Sequence, residues 1–291
     1  MLALKHQFVI AALAIALFYT NLGKPKLWDR DEPRNARCAV EMMERHDWTV
    51  PTFNGELRTH KPVLLYWLMM SAYALFGVNE FAARFWSAGL AVGTVLLTYS
   101  IGRRLLCART GFWGAFILAT TLMFNVAARA ATPDSALMFF MTLALAIYVR
   151  TSFRPQESAA EHTAPIQSNH RTFYPRRLFA IPLYAAMGMA VLAKGPIGIV
   201  LPTAIIGLFL AIVRLSDHVT EIRTASNRFT RITWILLRPF SPFHLLRTAW
   251  SMKPFTALAS AMAVALPWYL LVGIETDGKW LQSFLLEHNI G

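Results

Sequence analysis

At 291 residues, the chain is 56% hydrophobic and 15% charged, with a formal net charge of +12. A soluble domain carries about 25% charged residues, so this balance excludes a soluble globular protein and points to an integral membrane protein. Two cysteines, Cys38 and Cys107, exclude a disulfide scaffold and a cysteine-based metal site.

The elements follow in chain order. After Lys5, residues 7–22 form an apolar run without a small-x-small cleavage site, which reads as a retained first span. The loop 23–61 comes next, and Trp28 to Pro62 holds seven of the sixteen acidic residues. Asp31 and Glu32 stand just before Pro33, a residue suited to the first position of a helix. Beyond it, Ala36, Ala39, Val40 and Met43 fall on one face, and Arg34, Arg37, Glu41 and Glu44 on the other. The pattern predicts a short amphipathic helix lying at a membrane surface.

His60, Lys61 and Pro62 lead into a second apolar helix, 63–76. Fourteen helical residues at about 1.5 Å each cover only about 21 Å, against about 30 Å of hydrocarbon. Further apolar runs lie at 84–101, 111–128, 135–149, 178–194, 196–213 and 255–274. If 63–76 does not cross, the loops 102–110, 150–177 and 214–254 share one side and carry fifteen of the twenty-eight Lys and Arg. The positive-inside rule makes that side cytoplasmic. The loop 23–61, with eight basic and seven acidic residues, is nearly neutral and suits the outside. The expected fold is therefore all-α: a polytopic transmembrane helical bundle of seven spans in a single domain. Its outer loop, 23–80, holds the amphipathic helix and 63–76 as juxtamembrane helices.

This topology brings Asp31, Glu32, His60, Lys61, Asp134, Lys194 and His288 to one, non-cytoplasmic side. Ionisable groups at membrane depth are costly and tend to be functional. Each residue alone also has a plain structural role. Asp31, Glu32 and Asp134 stand at helix starts, where the dipole favours an acid by a few tenths to about 1 kcal/mol. Lys194, in AKGPIG, is placed to snorkel to headgroups. His60 and His288, with Glu32 or Asp31, offer imidazole and carboxylate to a divalent ion, though no HExxH or CxxC spacing is present. There is no GxGxxG, P-loop, GxSxG or nucleic-acid motif, and the basic loops need only the topology rule to explain them.

The stretch DEPRNARCAVEMMERHDWTVPTFNGELRTHKPVLLYWL resembles the first outer loop of the polyprenyl-phosphate-dependent glycosyltransferases of the GT-C class. It is most similar to the 4-amino-4-deoxy-L-arabinose lipid A transferases and their protein mannosyltransferase relatives. Their pattern runs roughly DExRYAExxREMxxxGDWxxPxxxGxxYxEKPPLxYWL. ARAATPDSALMFF is similar to ARxxxTDxxLxFF, and LAKGPIGIVLP to LTKGPxGxxLP; LPWY with FLLEHNIG is similar to PWY…FxxxHNxxRF. The resemblance runs in register from about residue 27 to the last residue.

It implies roles residue by residue. Asp31 matches an Asp at the reacting centre and Asp134 a second acid facing it; Glu32, the acid beside Asp31, is expected from its position to bind substrate. Lys61 matches a lysine contacting the lipid-phosphate donor, and Lys194 the KGP lysine on the same rim. His288 matches a His that in some members shares a metal with the glutamate of EKP, a position occupied here by His60; the Tyr of RYA is Asn35. The implied activity is transfer of a sugar from a polyprenyl phosphate to a lipid or protein acceptor at the outer face of the cytoplasmic membrane, with a divalent metal ion as a possible cofactor and no nucleic acid. Family members are roughly twice as long, so their C-terminal region is expected to be absent here. The alternatives are a transporter or flippase of lipid-linked sugar and a non-catalytic truncated family member.

Overall fold

The computed structural model describes residues 2–28, 30–153, 177–213 and 241–287. They fold almost wholly into helices, as the apolar runs predict. The first apolar run is α1 (Leu2–Tyr19) and the amphipathic stretch is α2 (Asp31–Glu44). Next come a small hairpin, β1 (Thr52–Phe53) and β2 (Glu56–Leu57), and the short apolar helix α3 (Leu64–Phe76). The bundle continues with α4 (Glu80–Leu105), α5 (Ala108–Thr120), α6 (Leu122–Ala128), α7 (Asp134–Ser152), α8 (Arg177–Lys194) and α9 (Ile197–Val213). It closes with α10 (Pro242–Ser251), α11 (Pro254–Glu275), the single turn α12 (Lys279–Gln282) and a π-helical turn, Ser283–Glu287.

Three of these helices, α4, α7 and α11, are long and apolar enough to cross a membrane. α4 starts at Asn79, whose side chain accepts from the Ala82 amide at 2.9 Å, and ends on Arg103 and Arg104, which complement the helix dipole. Arg104 donates to the carbonyls of Phe153 and Arg150, tying the end of α4 to the end of α7. Between α4 and α5 the backbones approach so closely that a Cβ on Gly111 would lie 2.7 Å from the Tyr99 carbonyl. Only glycine fits such a contact.

The expected span 111–128 is broken: α5 and α6 meet at a bend of 68°. Thr121 at the joint takes extended backbone angles, φ −66° and ψ 127°. Nearby polar side chains engage backbone carbonyls around the break. The Thr121 hydroxyl bonds the Ile117 carbonyl, and Asn125 Nδ2 donates to the carbonyls of Ala119 and Thr121. Thr and Asn side chains make a break tolerable at membrane depth by occupying freed carbonyls.

α2 is more deeply wedged than an amphipathic surface helix. Beside Ala36, Cys38, Ala39 and Met42 it buries Glu32, Asn35 and Glu41, the last of which the face pattern assigned to solvent. Glu41 is occupied by the hairpin. Its carboxylate accepts from the Thr52 hydroxyl at 2.8 Å, the amides of Asn54 and Gly55 at 2.8 and 3.3 Å, and Arg37 Nε at 3.0 Å. Asn54 and Gly55 both have positive φ, 55° and 77°, the Asn-Gly geometry of a tight hairpin.

Glu32 binds the start of this loop to the bundle. It is 1% exposed and meets Arg84 of α4 in a two-pronged ion pair, at 2.9 and 2.7 Å. Its oxygens also accept from the amides of Ala131 (2.6 Å) and Trp28 (3.0 Å). Arg84 donates further to the carbonyls of Leu22, Pro25 and Lys26. Burial alone would raise the Glu32 pKa, but Arg84 and the two amides outweigh it and hold the carboxyl below its ordinary 4.5. A depressed carboxyl pKa contributes stability that is present above the unfolded value and is lost as pH falls through the folded one. Thermal unfolding of the purified chain should therefore show stability declining as pH drops below about 4.5. Glu32→Gln leaves Arg84 buried without its counter-charge and should cost about 3–5 kcal/mol. An equally steep acid decline in that variant would show that the stability comes from other groups.

Candidate active site

Four of the sequence-predicted residues come together at one end of the bundle, each delivered by a different segment. Asp31 is the first residue of α2 and exposed; Asp134 is the first residue of α7. Lys194 is the last residue of α8, where Gly195 turns the chain at φ +81°. A Cβ on Gly195 would come within 2.7 Å of the Phe284 ring, so the turn requires glycine both for its angle and for its neighbour. Asp134 and Lys194 form a direct ion pair, with side chains 40% and 34% exposed.

Lys61 is half-buried in the loop before α3. Burial and the nearby Lys194 depress its pKa, and Asp31 and Asp134 partly offset them, with Arg58 adding to the depression. These influences place both carboxylates and both lysines within one electrostatic neighbourhood.

The other predicted residues fall elsewhere. Glu32 turns away from this cluster into its bonds with Arg84, where it serves to position Asp31, its neighbour in the chain. His60 is exposed. His288 lies outside the described residues. Among the described residues no group of three or more His, Cys, Asp and Glu is placed to hold a metal ion.

Two residues carry more of the site than the sequence disclosed. Arg58 is 6% exposed; its Nε donates to the Tyr66 hydroxyl and its Nη2 to Asn35 Oδ1, both at 3.0 Å. Asn35 Nδ2 donates to the Ala131 carbonyl at 3.0 Å, so one amide side chain links α2, the segment leading to Asp134, and Arg58. The signal for Arg58 was present in the family pattern, which has a tyrosine three places before the lysine of EKP, where this chain has Arg58.

Tryptophans fix the loop from the far end of the chain. Trp280 Nε1 donates to the Arg58 carbonyl at 2.9 Å, and Trp268, in LPWY, donates to the Thr49 carbonyl at 3.0 Å. An apolar groove of about 450 Å³ runs along α8 and α11, lined by Tyr184, Val191, Thr203, Met252, Ala261 and Tyr269 among others. Val191 is three residues before Lys194, less than one helical turn, so the groove approaches the charged end of α8.

The chain matches the family described as dolichyl-phosphate-mannose-protein mannosyltransferase over residues 8–280. It is 31% identical over 221 residues to an uncharacterized protein of Aquifex aeolicus (strain VF5), covering 76% of this chain and 40% of that protein. It is 26% identical over 282 residues to an undecaprenyl phosphate-alpha-4-amino-4-deoxy-L-arabinose arabinosyl transferase of Edwardsiella ictaluri (strain 93-146), covering 97% of this chain and 43% of that one. The structure is similar to ArnT from Cupriavidus metallidurans bound to undecaprenyl phosphate, with a TM-score of 0.68 at 23% identity, over 97% of this chain and 44% of ArnT. It is more distantly similar to the Archaeoglobus fulgidus oligosaccharyltransferase, with a TM-score of 0.52 at 14% identity, over 99% and 35% of the two chains. At these identities the structural likeness is one of fold, and the chain spans about two fifths of the length of the curated relatives it matches. With a family match running from residue 8 to residue 280 on an ArnT-like helical bundle, the chain belongs to the dolichyl-phosphate-mannose-protein mannosyltransferase family of GT-C membrane glycosyltransferases.

Proposed function

We propose that this chain carries the donor-binding and acid-base part of a membrane glycosyltransferase. It moves a sugar from a polyprenyl phosphate to a lipid or protein acceptor at the outer face of the cytoplasmic membrane. The observation that carries this reading is the grouping of Asp31, Lys61, Asp134 and Lys194 at one end of an apolar bundle. A phosphate needs cations, an acceptor hydroxyl needs a base, and an isoprenoid tail needs an apolar groove. The first two needs are met by the cluster and the third by the groove between α8 and α11.

In this mechanism the acceptor oxygen attacks the anomeric carbon, and the bond from that carbon to the phosphate oxygen breaks. The bonding pair leaves with the phosphate, through an oxocarbenium-like transition state. Asp31, the more exposed acid, takes the proton of the acceptor hydroxyl. Lys61 and Lys194 neutralise the charge that grows on the departing lipid phosphate. Asp134 is the second acid of the site and holds Lys194 toward it. A transporter would place its ionisable groups near the bilayer midplane on broken, repeated helices; here the acids stand at helix starts.

Asp31→Asn should lower transfer by at least about a hundredfold while donor binding persists, measured on the chain together with whatever further segment activity requires. Full transfer by that variant removes Asp31 from the role of base. Lys61→Ala should leave the yield of folded protein unchanged and weaken binding of polyprenyl phosphate by roughly tenfold to over a hundredfold, as loss of a charge-assisted contact does. Unchanged binding with reduced stability would make Lys61 a structural residue.

Orientation is open to a thiol test. Cys38 is buried, with its thiol pushed up to about 12 by that burial, so it should stay silent in the folded protein. Glu56→Cys at the exposed hairpin should react with an impermeant reagent on intact cells. Cys107, whose thiol the adjacent Thr110 lowers, should react only after permeabilisation. Labelling of both from outside would mean that 63–76 crosses the membrane.

A further inference from the structure

Lys61 and Lys194 share one electrostatic neighbourhood although they repel each other, and Lys194 is among the causes that hold the Lys61 pKa down. Like charges move apart unless the backbone that carries them is held. Asp134 pairs with Lys194 and, with Asp31, offsets part of the repulsion, while Arg58 adds to it. The carboxylates supply charge. The backbone on either side is held by a third segment, α12 and the π-helical turn that follows it.

On the Lys61 side, Trp280 Nε1 donates to the Arg58 carbonyl, and the hydroxyls of Thr59 and Ser283 lie 2.9 Å apart. Ser283 gives its own proton to the Glu287 carboxylate, so Thr59 is the donor between the two hydroxyls. On the Lys194 side, the Phe284 ring abuts the backbone of Gly195, the residue after Lys194. Trp280 and Phe284 are buried and stacked, with ring centroids 4.7 Å apart and planes at 25°. Trp268 of α11 meets Trp280 edge-on at 4.9 Å, and Tyr269 packs against both stacked rings. One aromatic stack anchored on α11 therefore touches both lysine-bearing segments. Its last contacts come from adjacent residues, Ser283 and Phe284, in a π-helical turn, a rare geometry that recurs at functional sites.

We propose that Phe284 and Ser283 are positioning residues, which clamp the Lys194 turn and the Lys61 loop at one spacing so that both lysines reach a single anionic group. For what that spacing serves, the inference rests on the glycosyltransferase reading above. Each residue acts through the backbone rather than on substrate. Phe284 keeps the Gly195 turn from retreating, and Ser283 holds Thr59, two residues before Lys61. Removing the ring opens room beside Gly195, and repulsion between the lysines drives the turn into it.

The test reads Lys61 on the purified full chain in lipid nanodiscs, by acetic anhydride labelling across a pH series and peptide mass spectrometry. In Phe284→Ala the lysines separate, Lys61 loses a repelling neighbour, and its labelling midpoint should rise toward the ordinary lysine value of 10.5. In a Lys194→Gln background that neighbour is already gone, so the same substitution should move the midpoint much less. An unmoved midpoint in Phe284→Ala overturns the proposal, as does an equal rise with and without Lys194, the mark of a loosened fold that merely wets Lys61. Ser283→Ala, at a half-buried residue, gives an independent reading if the Phe284 variant fails to fold. Its midpoint should also rise, and Ser283→Thr, which keeps the hydroxyl, should hold the original value; a midpoint unmoved by Ser283→Ala likewise overturns the proposal. Undecaprenyl phosphate should bind Phe284→Ala at least about tenfold more weakly than the unaltered chain, since one charge-assisted contact is lost. The midpoints are read with no donor present, so the clamp and the glycosyltransferase reading fail by different measurements.

Discussion

The buried pair between Glu32 and Arg84 is the constraint on which the rest of the arrangement depends. A carboxylate and a guanidinium this deeply buried do not earn much net stability, because desolvation offsets most of their attraction. What they supply is position. Arg84 is on the longest helix, and through its other N–H groups it gathers the carbonyls of Leu22, Pro25 and Lys26. Glu32 collects the amides of Trp28 and Ala131. One ion pair thereby fixes the chain leaving α1, the first turn of α2 and the segment that leads into α7. Asp31 is the residue before Glu32, and Asp134 is three after Ala131, so both acids of the site inherit their place from it.

The site follows a division of labour imposed by the membrane. Apolar helices cannot present charge along their length without cost, so the ionisable groups stand at helix ends and in the connecting loops. Those loops would be mobile if left to themselves. Glu41 pins the hairpin to α2, and the indoles of Trp268 and Trp280 hold the loop from α11 and the turn beyond it. The LPWY motif thus has a mechanical sense: its tryptophan joins segments 219 residues apart in the chain. The broken pair α5–α6 shows the same economy, since Thr121 and Asn125 engage the carbonyls around the bend.

Much of this was legible in the sequence because hydrophobic length and charge placement are local properties. Composition excluded a soluble protein, and the apolar runs located α1, α4, α7, α8, α9 and α11 close to their observed limits. The motifs DE, HKP, TPD and AKGP named the residues at the helix ends. The topology drawn from them put Asp31, Glu32, His60, Lys61, Asp134, Lys194 and His288 on one side, without singling out the four that group in the structure. The bend at Thr121 was not legible, because 111–128 is apolar apart from Thr120, Thr121 and Asn125, and periodicity does not register a break that such side chains make tolerable.

Tertiary structure alone decided which charges face the site and which support it. Asp31 and Glu32 are adjacent acids before the same proline, and nothing in their spacing distinguishes them. The structure sends one to the exposed cluster and buries the other against Arg84, 52 residues away in the chain. Glu41 read as a solvated position on the polar face of a helix, yet it is buried because the Asn54–Gly55 turn brings donors to it. Arg58 read as one more basic loop residue and became a buried cation through contacts with Asn35 and Tyr66. The sequence by itself determined the helices, their apolar lengths and the chemical types at their ends, since each depends on neighbours along the chain. The pairing of those charges was decided only by the fold, because an ion pair depends on distance in space and the partners here are far apart in sequence.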